Sequence, residues 1–234
     1  MMPKTPQAEA ANPGRALREI RNENRWTLAE VSARTGLPIS TLSKVENGKL
    51  SLSYDKLVRI SQGLGIDIAR LFSTDLAYAS AAQATGGRRI VTRAGEGQEI
   101  VTDNYRHIFP AAELLHRRFN PIVAELKANS IEEFGELIRH EGEEFTYVVS
   151  GSVDFYSDAY APTRLEIGDA VYFDSRMGHA YIRASKGVCR IVTVCTAETL
   201  EIAQPAAPTA RPRGQTPPAK IAEPVVVRAK VKGT

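Results

Sequence analysis

Apolar residues recur every three to four positions through the first third of the chain, and this spacing predicts helices. Leu17 and Ile20 fall on one face of a first helix over about residues 15–25. A fourth helix over 53–64 repeats the pattern, and a short fifth helix is expected over 68–72. Together with two helices between them, these segments predict a compact all-α domain of five helices.

The apolar pattern changes from about residue 88, where short runs rich in β-branched and aromatic residues alternate with turn signals. The runs are RIVTR, PIVAEL, FTYVVSGSVDFY, LEIGDAVYF, HAYIRA and VCRIVTV. Several short strands at near-regular spacing predict an all-β sandwich or barrel. The expected fold class is therefore a multidomain α+β chain, with the helices at the N-terminus and the strands after them.

Composition marks the segments that flank these two domains. Residues 1–13 hold three prolines among small polar residues, which predicts a disordered arm. Residues 73–87 are rich in Ala, Ser and Gly and are expected to be a linker. Residues 199–234 are expected to be a disordered, basic tail rich in Pro and Ala. The helical domain then covers 14–72 and the β-domain covers 88–198.

Charge is distributed unevenly along the chain. Residues 14–76 carry ten Lys/Arg against seven Asp/Glu, a net charge of +3. Residues 88–198 carry thirteen against seventeen, a net charge of −4, and residues 199–234 carry six against two, a net charge of +4. A basic head and tail around an acidic middle fit nucleic-acid binding at the ends of the chain.

The cysteines and the N-terminal sequence indicate the cellular compartment in which the protein is expected. Cys189 and Cys195 stand six residues apart in an apolar run, too far apart on one strand to bridge each other, so reduced core thiols are expected. The N-terminus has no apolar signal region, and no run approaches the roughly 18 apolar residues that a membrane span needs. These features predict a cytoplasmic protein without a membrane partner.

Residues 27–48, TLAEVSARTGLPISTLSKVENG, carry the signals of two helices joined by a tight turn. Thr27 followed by Glu30 forms a capping box, which begins a helix. Gly36 supplies the left-handed backbone that ends a helix. Pro38 then opens the second helix, where its missing N–H costs nothing.

The second of these helices has a polar outer face. The residues expected to face outward are Ser40, Thr41, Ser43 and Lys44, because Leu42 and Val45 face inward. Hydroxyl groups and one cation suit the DNA major groove, where they reach base edges and phosphates. Periodicity alone fits an ordinary helical hairpin with a polar surface equally well.

The whole string with its VENG ending resembles the lambda-repressor-like, or XRE, family of helix-turn-helix domains, from about Gly14 to Phe72. That resemblance implies double-stranded operator DNA as a partner, bound by a homodimer. The residues it implies for DNA contact are Ser40, Thr41, Ser43 and Lys44 on the recognition helix, with Thr27 and Asn47 near the phosphates.

Two motifs of the β-domain resemble those of the cupin superfamily, small double-stranded β-helix barrels. They are HEGEEFTYVVSG at 140–151 and GDAVYFDSRMGHAYIR at 168–183. The resemblance implies that the β-domain is a cupin barrel and that it senses a small-molecule effector.

The same resemblance implies a metal site. His140, Glu144 and His179 match three family ligands, and Ile138 stands where a further histidine is usual. Two histidines and one carboxylate suit Fe(II), and also Zn(II) or Mn(II). A barrel that keeps these residues without a metal is the alternative, so no cofactor is counted as required. Glu143 could replace Glu144 as the ligand, although it points to the other strand face.

Further residues of the barrel are expected to form an effector pocket. The aromatic candidates are Tyr147, Phe155, Tyr172 and Phe173, and the candidate arginines at the rim are Arg139, Arg176 and Arg183. Arginine at the rim would suit a carboxylate or phosphonate ligand, whereas the alternative is a set of solvated surface charges.

The leading functional interpretation is a DNA-binding transcription regulator, not an enzyme, whose cupin domain senses an effector. The alternative is a mononuclear non-heme iron enzyme that resembles hydroxypropylphosphonate epoxidase, which shares the two-domain plan and a His, Glu and His triad. In the alignment of the first helix, Arg25 stands where that enzyme has a lysine that serves the active site. The polar helix with Lys44 favours DNA binding.

Overall fold

The computed structural model describes residues 12–72 and 89–196. The predicted arm up to residue 11, the linker over 73–87 and the tail over 199–234 lie outside the described residues. The helices are α1 (Pro13–Glu23), α2 (Leu28–Thr35), α3 (Ile39–Glu46), α4 (Tyr54–Leu64), a 3₁₀ helix (Ile68–Leu71) and α5 (Ile131–Phe134). Within the described ranges, no helix combines the length and the apolar character that crossing a lipid bilayer requires.

The local signals of the sequence produce the helix boundaries of the N-terminal region. The Asn12 side chain caps α1 by accepting from the backbone N–H of Arg15. At α2 both halves of the capping box between Thr27 and Glu30 form, as predicted. Gly36 ends α2 in the left-handed conformation at φ 66°, which only glycine adopts without strain. The predicted helix–turn–helix is therefore confirmed.

Two details of the helical prediction are wrong. The first helix begins at Pro13 and ends at Glu23, two residues earlier than expected at each end, because Asn12 supplies the cap. The fifth helix is a single 3₁₀ turn, since only four residues follow the cap at Asp67 and the chain leaves the helix at Phe72.

Helices α2 and α4 pack closely at Gly63. A Cβ atom built at this position would lie 2.5 Å from the carbonyl oxygen of Arg34 and 2.8 Å from the Cα of Thr35. Both neighbours are backbone atoms of α2, so they cannot move aside as a flexible side chain would. The contact requires glycine although α4 continues past this residue.

Gly63→Ala is therefore expected to destabilise the protein by about 1–3 kcal/mol, the cost of an overpacked contact. Helix propensity alone predicts the opposite sign, a gain of about 1 kcal/mol in an exposed helix. Denaturant unfolding of the two proteins measures the difference. A variant more stable than the parent would contradict the close packing of α2 on α4.

The strands form two antiparallel sheets. They are β1 (Gln98–Val101), β2 (Tyr105–Phe109), β3 (Phe119–Leu126), β4 (Glu143–Ser150), β5 (Val153–Ser157), β6 (Thr163–Leu165), β7 (Ala170–Asp174), β8 (His179–Arg183) and β9 (Arg190–Thr196). One sheet has the order β1-β2-β3-β9-β4-β7 and the other has the order β6-β5-β8. Their inner faces share a core that includes Val148, Val153, Tyr181 and Ile191. This arrangement confirms the predicted α+β class with an all-β C-terminal part.

The strand predictions fail at three places. The run RIVTR over 89–93 forms no strand, and the first strands are instead β1 and β2, which the sequence reading missed. The run LEIGDAVYF contains a turn at Gly168, with φ 94°, that separates β6 from β7. Strand formation depends on the packing context of a segment as well as on its composition, so composition alone does not fix which runs become strands.

The helical region packs directly against the strand region. Phe72 and Tyr54 contact Phe109, with ring centroids 5.0 and 6.3 Å apart. The Asn120 side chain of β3 donates a hydrogen bond to the Tyr54 hydroxyl at 3.1 Å. The three aromatic residues share one buried cluster with Cys195 of β9, and both regions belong to one compact unit. The N-terminus of α4 is thereby held against the barrel.

Candidate functional site

Helix α3 divides sharply into a buried and an exposed face. Leu42 and Val45 are buried in the helical core, whereas Ser40 and Lys44 are exposed. Thr41 and Ser43 are half-buried at the edge of the exposed face, and Asn47 is exposed at the C-cap. The outward face predicted from the sequence is therefore available to a partner.

Two of the predicted contact residues already have partners within the protein. The Thr27 hydroxyl donates to the Glu30 carboxylate at 2.9 Å and accepts from the Glu30 backbone N–H at 3.1 Å. The Asn47 amide donates to the Ser43 carbonyl at 2.8 Å. Their side chains thus fix the ends of α2 and α3.

Helix α1 holds α3 in place. The Arg21 guanidinium donates two hydrogen bonds to the Glu46 carboxylate, at 2.7 and 2.9 Å, and a third to the Trp26 carbonyl at 3.1 Å. A Cβ atom at Gly14 would lie 2.1 Å from the Val45 carbonyl oxygen, so α1 and α3 touch through backbone. The exposed face of α3 is therefore presented by a rigid support.

The second candidate site lies inside the barrel, where the structure brings His140, Glu144 and His179 together. His140 precedes β4, Glu144 lies in β4 and His179 begins β8. The His140 Nε2 atom is 3.1 Å from Glu144 Oε2, and the His179 Nε2 atom is 3.7 Å from it. All three side chains are buried. Glu143, the alternative ligand, is exposed on the opposite face of β4.

Glu144 has further neighbours that the sequence reading missed. The Tyr181 hydroxyl donates to Glu144 Oε1 at 2.7 Å, and the Thr146 hydroxyl donates to the same atom at 3.1 Å. The Cys195 thiol donates to Glu144 Oε2 at 3.5 Å. Thr146 could have been found from the alternation of β4, since it lies two residues after Glu144. Cys195 depends on the β4–β9 pairing, which the sequence did not specify.

The electrostatics of the cluster favour the forms that bind metal. Burial alone would raise the pKa of Glu144, but hydrogen bonding and charge attraction from His140 and His179 bring that pKa down to about 2. Burial also lowers the pKa of His179, which keeps its imidazole neutral. An ionised carboxylate and neutral imidazole are the protonation states that metal ligation requires.

The position of the His179 ring shows that the site suits a metal ion. Its Nδ1 atom lies 2.9 Å from the Met177 carbonyl, which fixes the ring orientation. Its Nε2 atom is buried and has no hydrogen-bond partner among the described residues. An orphaned ring nitrogen beside a buried carboxylate fits a divalent cation, and the donors suit Fe, Mn or Zn.

A cavity of about 510 Å³ opens beside this cluster. Its wall on the barrel side includes His107, His140, Glu144, His179, Tyr181 and Cys195. Its wall on the helical side includes Ser53, Tyr54, Asp55, Lys56 and Arg59 of α4 and its cap. The N-terminal domain therefore forms part of the cavity itself.

His107 is a further cavity residue that neither sequence motif contains. Burial lowers the pKa of its imidazole to about 4, and its Nδ1 atom has no hydrogen-bond partner among the described residues. A neutral ring with a spare nitrogen can donate to or accept from a polar ligand.

The predicted effector pocket requires correction. Tyr147 and Tyr172 are 43% and 63% exposed and lie on the outer face of the sheet, because β4 and β7 alternate and Glu144 and Phe173 take the inner face. Phe155 is buried in the core against Phe173 and is not among the described residues that line the cavity.

The predicted arginines also divide. Arg183 donates a hydrogen bond to the Asn129 side chain and is not among the described residues that line the cavity. Arg176 pairs with Asp174 outside the cavity. Arg139 does line the cavity, although its guanidinium also pairs with Asp158. Both Arg139 and Arg176 are exposed, as the solvated-charge alternative expected.

The two tyrosines belong to an apolar surface on the outer sheet face. Phe145, Tyr147 and Val149 point outward from β4, and Tyr172 of β7 is the register partner of Phe145. All four are exposed in the single chain. We call these four residues the outer sheet patch.

The fold and the two sites define a class of protein that joins a helix-turn-helix domain to a β-barrel with a buried His, Glu and His cluster. Comparison with known proteins agrees: residues 17–71 match the helix-turn-helix family model and residues 131–195 match the cupin domain model. The chain therefore combines a domain of the helix-turn-helix family with a domain of the cupin family.

Individual proteins match over most of the chain. The HTH-type transcriptional regulator PuuR of Escherichia coli K12 is 20% identical over 191 residues, which cover 82% of this chain and 98% of that protein. A helix-turn-helix transcriptional regulator from Vibrio cholerae has a TM-score of 0.53 at 17% identity, covering 81% of this chain and 97% of its own. Hydroxypropylphosphonic acid epoxidase from S. wedmorenis has a TM-score of 0.40 at 19% identity, covering 80% and 97%.

Proposed function

We propose that this regulator binds operator DNA through α3 and responds to a small molecule or metal ion in the cupin cavity. The observation that carries the DNA-binding part is the two-faced α3 helix. Leu42 and Val45 anchor it, whereas Ser40 and Lys44 remain exposed on a helix held rigidly by Arg21. A short polar helix on a rigid support is the geometry of major-groove recognition.

The predicted DNA contacts divide by chemistry. Ser40, Thr41 and Lys44 are assigned to base edges, with Ser43 beside them. Thr27 and Asn47 lie at helix ends where backbone N–H groups and short polar side chains meet phosphate. Because both side chains already have partners in the protein, we expect them to position the helices on the duplex and not to select its sequence.

Lys44→Ala should weaken binding to a cognate site by about 1–3 kcal/mol and relax the preference at one base pair of each half-site. The reason is that lysine donates to guanine acceptors in the major groove. Titration of labelled operator and single-base variants, at fixed salt, measures both effects. Lys186→Ala is the matched control, since it removes the same charge from an exposed turn of the barrel. Equal losses in the two variants would contradict base recognition by Lys44.

The contact between α4 and the barrel offers a route from the cavity to the DNA-binding domain. Tyr54 lines the cavity, and its ring meets the His140 ring edge-on, with centroids 5.0 Å apart. A ligand that displaces the His140 ring therefore also changes its contact with the Tyr54 ring. Such a ligand changes DNA affinity only if it binds the two arrangements of α4 with different affinity.

Assembly as a homodimer is part of the proposal, and the outer sheet patch is the proposed interface. A single helix-turn-helix domain reads one half-site, so strong specificity requires two copies related by a two-fold axis. We therefore infer that a second copy of the chain covers the exposed apolar residues of the outer sheet patch.

Catalysis is a second candidate function, favoured by the buried His140, Glu144 and His179 beside a cavity. Two histidines and a carboxylate can leave open positions on Fe(II) for oxygen. Oxygen consumption by the iron-loaded full chain in the presence of hydroxylated carboxylates or phosphonates would support this candidate. The regulator proposal expects that loaded protein to bind such molecules without consuming oxygen.

A further inference from the structure

Cys195 meets the carboxylate of the histidine cluster from a different strand. Its register partner in the β4–β9 pairing is Glu144, and its Sγ atom lies 3.5 Å from Glu144 Oε2. The ligand atoms offered by His140, Glu144 and Cys195 all lie within 4.8 Å of one another. All three residues are buried.

The distances around Glu144 match the edges of a tetrahedral metal site. Bonds of about 2.0–2.3 Å to N, O and S ligands place neighbouring ligand atoms about 3.3–3.6 Å apart. The distances to Glu144 Oε2 are 3.1 Å from His140, 3.5 Å from Cys195 and 3.7 Å from His179. His140, Glu144 and Cys195 therefore already stand close together, whereas the His179 ring, which lies outside that group of three, has to move towards the ion.

We propose that Cys195 is a metal ligand that completes, with His140, Glu144 and His179, a four-ligand site selective for Zn(II). The independent observation is the His179 Nε2 atom, which is buried without a hydrogen-bond partner among the described residues. This proposal rests on the proposed function: Zn(II) is the ion bound in the same cavity, and Cys195 is the residue that selects it.

The chemistry of a thiolate decides the choice of metal. Sulfur ligands favour zinc over manganese and magnesium, whereas a site of two imidazoles and a carboxylate alone accepts several divalent ions. On binding, the zinc–sulfur bond forms as the S–H bond breaks, and the proton passes to solvent. Four protein ligands also fill a tetrahedral zinc, which is the arrangement of a closed and not of a catalytic site.

Tyr54 ties this site to the DNA-binding domain. It shares one buried cluster with Cys195, and its ring contacts the His140 ring, so one side chain of α4 lies beside two of the four proposed ligands. Partners of this kind orient metal ligands and tune the affinity of the site. We therefore expect the position of α4 to differ between the zinc-bound and the zinc-free protein.

The other cysteine provides a matched control. Cys189 is also buried, but its thiol donates to the Ser152 carbonyl and lies beside Ser185. Among the described residues, neither a histidine nor a carboxylate accompanies it in a candidate metal group. Substitution of Cys189 therefore tests the loss of a buried thiol without the loss of a ligand.

Cobalt substitution of the full chain tests the proposal. Co(II) bound by a thiolate gives a sulfur-to-cobalt charge-transfer band in the near ultraviolet, which nitrogen and oxygen ligands do not give. We expect the band in the parent and in Cys189→Ser, and its loss in Cys195→Ser. Zinc affinity in Cys195→Ser should fall by more than about 100-fold, beyond the roughly 10–100-fold that loss of an outer partner costs.

A second variant keeps the test independent of folding defects. Ile138 lines the cavity and pairs through its backbone with His179, so a histidine at 138 can reach the ion. Ile138→His with Cys195→Ser should regain zinc affinity without the charge-transfer band. Cobalt bound by the parent without that band, or no metal bound at all, would overturn the proposal. Operator binding by the same proteins is measured separately, so this failure is distinguishable from failure of the DNA-binding proposal.

Discussion

Replacing Phe145 and Tyr147 together by aspartate should convert the proposed homodimer into monomers. Both side chains project from the outer sheet patch, and two charges on each copy of a buried apolar interface would remain unpaired. In a dimer, the second DNA-binding domain binds its half-site intramolecularly once the first has bound. Isolated subunits lose this advantage, so operator affinity should fall by about 100-fold or more. Sedimentation at micromolar concentration and operator titration measure the two effects.

Tyr160→Asp is the matched control for this experiment. Tyr160 is 72% exposed, but it lies between β5 and β6 on the smaller sheet, away from the outer sheet patch. The control should remain dimeric and bind operator as the parent does. A parent protein that sediments as a monomer, or a double variant that remains a dimer, would contradict the proposed interface.

Removing the His140 imidazole should empty the metal site. His140 Nε2 is the nearest ligand atom to the Glu144 carboxylate, so His140→Ala takes away a ligand and a contact that holds the carboxylate in place. After loading with a mixture of Fe(II), Mn(II) and Zn(II), the total metal content found by elemental analysis should fall from about one ion per chain in the parent to below about 0.1 in the variant. The preference for the operator sequence should survive, since α3 and its support lie outside the barrel, whereas operator affinity is expected to change because Tyr54 joins the site to α4.

His116→Ala is the matched control, because His116 is exposed and lies near Asp67, outside the cavity wall. It should load metal like the parent. Full metal content in His140→Ala would exclude His140 as a ligand, and failure of the parent to load any of the three ions would remove the metal site. The DNA-binding account would stand in either case.

The helical domain was largely predictable because its signals are local. The capping box at Thr27, the left-handed Gly36 and the stripe of Leu42 and Val45 each depend on residues within one or two turns. Such signals specify helix ends without knowledge of the rest of the fold. The short helix after Asp67 was predicted, but its 3₁₀ type was not, since hydrophobic spacing does not separate a 3₁₀ turn from a short α-helix.

The barrel was predictable in class but not in detail. Strands β1 and β2 carry weak local patterns, and they are stabilised by pairing with each other and by the pairing of β2 with β3. Motif resemblance located His140, Glu144 and His179, but Cys195 joins them only through the register of β9 on β4. Pairing between segments about 50 residues apart is not encoded in any local window.

The predicted pocket tyrosines show a different kind of failure. Tyr147 lies three residues after Glu144 on one strand, so the two side chains point to opposite faces. Once Glu144 was assigned to the interior, strand alternation already placed Tyr147 outside. Aromatic content alone suggested a pocket, whereas the same residues form the exposed patch that a second copy is proposed to cover.

Selection of binding sites from random double-stranded DNA by the full chain tests directly whether α3 reads DNA sequence. We expect an enriched inverted repeat whose half-site centres lie about 10–10.5 base pairs apart, or a multiple of that spacing. The same selection with Lys44→Ala should lose the preference at one base pair of each half-site. A bound pool without a common sequence, from protein that is folded and dimeric, would contradict sequence-specific DNA binding by α3.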